Sequence, residues 1–230
     1  RGSTLSNTSP RAPNTPSPQT TSPLTYSPRW DRICYTPQVR IITFDIETKN
    51  QFSDVGKNDP LALDISLVGI HDSETDTLDS FLVADFPRLW KVFEKADAIV
   101  GYNSDHFDIP ILNKYYPGDL TRIKSIDLLK EIHGVLGRRV RLDAVADGTL
   151  GMKKSGNGLD AIRWWREGKI DLIREYCLKD VEITRKVFDY ALKNGHLKYK
   201  ELGKTKEVKI NTKNWLVPSN KSALTQTLGF

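Results

Sequence analysis

Residues 40–50, RIITFDIETKN, alternate with period two: Ile42, Phe44 and Ile46 fall on one face, and Ile41, Thr43, Asp45 and Glu47 on the other. The composition is that of a buried β-strand, yet two carboxylates stand near its C-terminal end. An ionised carboxylate in a core is costly unless something positive accompanies it. Either Asp45 and Glu47 are solvated at a strand end, or a cation lies opposite them.

On the N-terminal side, residues 1–37 are dominated by Ser, Thr and Pro and hold almost no branched aliphatics. Such a stretch buries too little apolar surface to offset its ordering entropy, so a disordered tail or linker is expected there. The remainder has room for one ordinary domain, and 38% hydrophobic content across 230 residues suffices for a core. We expect the domain over residues 38–200 and a basic C-terminal hairpin or tail over 201–230. The net charge of +5 favours an acidic partner such as nucleic acid. Cys34 and Cys177 are too few and too far apart to suggest a disulfide framework or a zinc cluster, which points to a reducing, cytoplasmic setting. No run approaches the roughly 18 apolar residues of a membrane span, and no membrane partner is expected. Met152 is the single methionine, so the sequence reads as a fragment or processed form.

Downstream of the first strand, DISLVGIHD and TLDSFLV read as two further strands around the turn DSETD, completing a meander. FPRLWKVFEKAD has helical spacing with Pro87 in its first turn. AIVGYN is a short apolar strand of the kind buried on both faces of a parallel sheet. SDHFDIPILNKYY is expected as a helix capped by Ser104 or Asp105, and TRIKSIDLLKEIHGVL as a strand-like start with a helix behind it. A polar, basic stretch then runs to Gly158. The longest helical pattern, AIRWWREGKIDLIREYCLKDVEITRKVFDYALKNG, ends at Gly195 as a natural C-cap. KYKELGKTKEVKINTKNW suggests a basic hairpin. Together these elements specify an α/β fold with a central mixed five-stranded sheet, antiparallel meander first and parallel strands after, flanked by helices.

Two more acids stand out. In the long helix, Ile173, Tyr176, Cys177, Asp180, Thr184, Val187, Phe188 and Ala191 keep the three-and-four spacing of a buried face, with Asp180 in the middle and no Lys or Arg beside it. Tyr176 lies one turn earlier on the same face. Asp108 falls between Phe107 and Ile109 just after a buried strand, where open α/β sheets hold their ligands. Each acid alone has an ordinary explanation: a solvated strand end, a distant Arg, a first-turn carboxylate. One site for hard divalent cations explains all four at once.

At these residues the chain resembles a known family. FDIET (residues 44–48), NSDHFD (103–108) and YCLKD (176–180) look like the three motifs, D-x-E, N-x-x-x-F-D and Y-x-x-x-D, of the DEDD-type 3′-5′ exonucleases of the ribonuclease H-like superfamily. The proofreading domains of family B DNA polymerases and YprB-like ribonuclease H-fold domains are similar. Position 175 is Glu where the histidine variant would carry His, while Tyr176 fits the tyrosine variant, DEDDy. The resemblance implies a ribonuclease H-like fold in which Asp45, Glu47, Asp108 and Asp180 ligate two divalent ions, Mg²⁺ or Mn²⁺. It also implies that Tyr176 orients the attacking water and that Asn103 supports the terminal nucleotide or the second motif. The substrate implied is a single-stranded 3′ end, with DNA favoured over RNA although the residues leave both open; a monomer, fused to or associated with a polymerase or helicase, is expected.

Candidate contacts to the strand are Thr48, Lys153 and Lys154 in the Gly-rich loop MKKSGNG, and Arg138, Arg139 and Arg141. For Trp164 and Trp165 the core reading is favoured over contact with the strand, and for the C-terminal lysines a solvated strand face is favoured. Two other functions stay open: a non-catalytic nucleic-acid-binding module on the same fold, and an endonuclease of the same superfamily.

Overall fold

In the computed structural model, the described residues are Gly2, 39–152 and 158–217. The chain divides into two units, Arg1–Arg32 and Ile33–Phe230, and every element below belongs to the second. Lys153 and Lys154 lie outside the described residues, as do Cys34 and nearly all of the Ser/Thr/Pro segment.

The opening stretch is strand β1, Ile41–Thr48, at the centre of a five-stranded sheet. It pairs antiparallel with β2 (Ile65–Asp72), which pairs antiparallel with β3 (Thr77–Phe81). On its other side β1 runs parallel to β4 (Ala98–Gly101), and β4 runs parallel to β5 (Lys124–Asp127). The order β3-β2-β1-β4-β5 is the expected mixed sheet of a ribonuclease H-like α/β fold.

Period-two alternation sorts β1 between two cores. Ile42, Phe44 and Ile46 enter one cluster with Leu89, Phe93 and Ile111, while Ile41 enters another with Val187 and Phe188. Helix α2 (Phe86–Phe93) covers the first face, and α7 (Ile170–Asn194) packs across β1 and β2 on the second. Each of these fully buried side chains contributes about 1.5–3 kcal/mol.

The sheet departs from a regular ladder at one place. Glu47 pairs with Leu67 but Thr48 pairs with Ile65, so Ser66 is the extra residue of a β-bulge. The bulge lets Ile65 and Val68, three positions apart, join the same cluster, and it re-aims the end of β1 just after the two acids.

Four expectations change. The helix after β4 covers only Asp108–Leu112 (α3), because residues 102–107 form a turn whose N–H groups are held from elsewhere. The long helical pattern is broken at Gly168, φ 70°, into α6 (Gly158–Arg166) and α7, a left-handed position that glycine adopts freely. Part of the polar stretch before Gly158 is helix α5, Leu142–Leu150, with Val145 and Ala146 buried. The basic hairpin is β6 (His196–Glu201) with β7 (Lys204–Lys209), so it begins inside the span expected for the domain. Leu197, Tyr199 and Val208 of the hairpin are part of the core, which joins it to the fold rather than leaving it as a tail. Two remaining helices, α1 (Phe52–Val55) and α4 (Leu128–Leu136), follow β1 and β5. No helix among the described residues is long and apolar enough to cross a membrane.

Candidate active site

At the C-terminal end of β1 a cleft of about 410 Å³ opens, lined by Asp45, Glu47, Thr48, Tyr176 and Asp180 together with Phe52, Phe107, Leu159 and Ile162. Three of the four predicted acids and Tyr176 therefore meet in one place. Asp108 is adjacent but does not line the cleft. It is buried beside β1 and accepts the N–H of Ile46, the residue between Asp45 and Glu47, at 3.3 Å.

Convergence of β1 with α7 depends on Gly69. Gly69 pairs with Asp45 across the ladder, and a Cβ there would lie 2.9 Å from Cys177 Sγ and 3.2 Å from Val181 Cγ2. Only a residue without a side chain lets α7 settle this close to β2. Cys177 then donates to the Asp45 backbone carbonyl at 3.5 Å, and its Sγ is 3.9 Å from Asp45 Oδ2. Burial pushes the Cys177 thiol well up, and the charges of Asp45, Glu47 and Asp180 push it the same way, so it stays protonated.

Loop 102–107, which leads into Asp108, is held by Asp127. This buried N-cap of α4 accepts the N–H groups of Asn103 (2.8 Å), Asp105 (3.1 Å), Leu129 (2.9 Å) and Lys130 (3.2 Å). Lys130 Nζ and the Ser125 hydroxyl both donate to Asp105 at 2.6 Å. Burial pushes Asp127 above the usual carboxylate range, against those N–H donors. Asp108 is pushed up to about 7, chiefly by burial and further by the charge of Asp127, while the N–H of Ile46 pulls it down.

Asn103 lies elsewhere. With φ 70° it turns into a second cleft of about 360 Å³, lined by Asp105, His106, Asp127, Lys130, His133 and Arg139, and its side-chain oxygen accepts from Arg139 at 2.6 Å. Arg141 pairs with Asp143, and Arg138 with Glu201. Thr48 is in the acidic cleft, with its hydroxyl donated to the Asn50 carbonyl at 2.8 Å. Trp164 and Trp165 are half-buried: Trp164 packs edge-on against Tyr176 at 6.0 Å, and Lys49 sits over Trp165 at 5.0 Å.

The donor set favours a hard cation. Asp45, Glu47 and Cys177 offer atoms within 4.8 Å of one another, the thiol is held protonated, and Asp180 lines the same cleft. Among the described residues lining it there is no Lys, Arg or His, so oxygen-seeking Mg²⁺ or Mn²⁺ fits what is there. The apolar lining by Phe52, Phe107, Leu159 and Ile162 escaped prediction: Phe52 sits in sequence that reads as polar loop, and Leu159 falls between the polar stretch and the helical pattern. Gly69, by contrast, carried a signal, as a glycine inside a strand marks close approach.

No curated protein matches the chain. Among solved structures, it is similar to the family B DNA polymerase from the hyperthermophilic archaeon Pyrobaculum calidifontis, with a TM-score of 0.52 and 23% identity. The match covers 68% of this chain and 25% of that one, so the chain spans about a quarter of the polymerase's length and the likeness is one of fold. A family described as RNase_H superfamily matches residues 42–192, from within β1 to near the end of α7, and takes in all four acids and Tyr176. With the mixed sheet and the carboxylate cleft at the end of β1, this match establishes that the chain belongs to the RNase_H superfamily.

Proposed function

We propose that the protein is a metal-dependent 3′-5′ exonuclease of the DEDDy type, hydrolysing single-stranded nucleic acid, DNA in preference to RNA, from its 3′ end. The observation that carries this is the meeting of Asp45, Glu47, Asp180 and Tyr176 in one cleft that Phe52, Phe107, Leu159 and Ile162 also line. Membership in the RNase_H superfamily supports a nuclease; direction and substrate rest on the three motifs.

Asp45, Glu47 and Asp180, with Asp108 behind the strand, would hold two Mg²⁺ or Mn²⁺ ions, which supply a Lewis acid and a water of lowered pKa for phosphodiester attack. Phe52, Phe107, Leu159 and Ile162 receive the flat faces of the terminal nucleotide and exclude water from it. The Tyr176 hydroxyl, backed by Trp164, hydrogen-bonds the attacking water and orients it toward phosphorus. Thr48 contacts the terminal nucleotide at the cleft mouth. Asn103 acts on the second motif rather than on the nucleotide: its backbone N–H is clamped by Asp127, and the loop it begins ends at Asp108. Lys153 and Lys154 retain their proposed part in gripping phosphates. The protein is taken to act as a cytoplasmic monomer associated with a polymerase or helicase.

With Mn²⁺ or Mg²⁺, purified protein is expected to shorten a 5′-labelled single strand stepwise from its 3′ end. Asp45→Ala or Asp180→Ala should lower the rate by about 10³-fold, equivalent to about 4 kcal/mol of transition-state stabilisation. Equal activity in those variants would overturn the proposal.

A further inference from the structure

The hairpin β6–β7 carries an apolar side chain where neither turn geometry nor packing calls for one. Its two-residue turn is Leu202 (φ 49°) and Gly203 (φ 74°), closed by the pair Glu201 and Lys204. Turns with both residues at positive φ favour Asn, Asp or Gly at the first position, and leucine there is strained. Leu202 is also 97% exposed, whereas the next most exposed large hydrophobic side chain among the described residues is at 61%. Strain without packing points to a contact made outside the chain.

Charge says what kind of contact. The hairpin spans five lysines against two glutamates. Glu201 pairs with Arg138 and Lys206, and Glu207 with His196, so Lys198, Lys200, Lys204 and Lys209 have no acidic partner among the described residues. Lys198, Lys200 and Lys209 share the face turned away from buried Leu197, Tyr199 and Val208, on which Glu207 is the hairpin's one acid and pairs with His196, while Lys204 lies on the other face at the tip. A row of uncompensated lysines at strand spacing suits a phosphate backbone.

The hairpin tip is tied to the loop that carries Asp108. Arg138 donates to the Tyr199 hydroxyl at 3.3 Å and pairs with Glu201 at 2.6 Å; the next residue, Arg139, donates to Asn103 at 2.6 Å. Gly148 lets α5 press against the hairpin, since a Cβ there would lie 2.4 Å from the Tyr199 backbone. Two consecutive arginines thus link the loop between the clefts to the hairpin tip.

We propose that the outer face of this hairpin binds single-stranded nucleic acid upstream of the 3′ end, with Lys198, Lys200 and Lys209 on phosphates and Leu202 at the tip against a base. Its placement upstream rests on the nuclease reading above, while the binding itself does not.

The test uses the full chain with a chelator present, so that no hydrolysis occurs, and a fluorescent oligothymidylate of about 20 nucleotides read by anisotropy across a salt series. Lys200→Ala with Lys209→Ala should flatten the salt slope by about 1.4, about 0.7 for each phosphate no longer neutralised. Leu202→Asn suits the turn better and so preserves the hairpin, yet should bind about five-fold more weakly because it buries less apolar surface against the base. An unchanged slope in the lysine variant overturns the proposal, and unchanged affinity in Leu202→Asn overturns the part given to the leucine. Equal affinity for polyglutamate of matching charge would overturn it in favour of an acidic protein partner. Absence of hydrolysis in a separate assay with metal would count against the exonuclease alone.

Discussion

Asp108 shows how much one carboxylate can weigh on the metal-free fold. It is buried and its pKa is pushed up to about 7, whereas an unfolded aspartate titrates near 3.8. A raised folded-state pKa means that the folded protein binds the proton more tightly. The stability it contributes is therefore complete below about pH 4 and is lost as pH rises through about 7. Asp108→Asn keeps an oxygen to accept the Ile46 N–H and removes the charge. In the presence of chelator at pH 8 the substitution should stabilise the protein by about 1–3 kcal/mol, and at pH 5 by much less, as read by urea unfolding. A gain independent of pH would rule out the buried charge as its cause. Asp108 also marks how far the residues were legible. Its motif was plain in NSDHFD, but its position behind Ile46, outside the lining of the cleft, follows from a hydrogen bond between residues 62 apart in the chain.

At the scale of elements, the approach of α7 to β2 places Tyr176 and Asp180 opposite Asp45 and Glu47, and Gly69 permits it. Gly69→Ala forces Cys177, Val181 and Leu178 to give way, since the new Cβ would stand 2.9, 3.2 and 3.4 Å from them. We expect a loss of about 1–3 kcal/mol in chemical denaturation. Cys177→Ala in the same chain removes the nearest clash and should restore part of that loss, so that the two changes are non-additive. Strict additivity would show that α7 is not positioned by this contact. The heptad-like stripe of α7 and the alternation of β1 were readable because each repeats over a few residues. Helix α5 was not, because its buried face is only Val145 and Ala146 between arginines and a glycine, and it becomes helix by packing on β6.

For the whole molecule, a divalent cation held between the acids of β1, α3 and α7, as proposed, should tie these elements together. Mg²⁺ or Mn²⁺ at about 100 times its dissociation constant should stabilise the protein by about 2.7 kcal/mol, seen as a rise in Tm of several degrees. In Asp45→Asn with Asp180→Asn that rise should vanish; an equal rise in both proteins would place the metal elsewhere. The sequence by itself determined the mixed sheet and the order of its strands' types, and singled out the four acids and the tyrosine as candidates, because strand and helix periods and short motifs are local patterns. Only the tertiary structure decided that three acids share one cleft with an apolar lining, that Asn103 turns into a second cleft, that a bulge at Ser66 re-aims the end of β1, and that the basic hairpin is built into the core. Each of these depends on which residues far apart in the chain touch, and packing between elements sets that, whereas no local period records it.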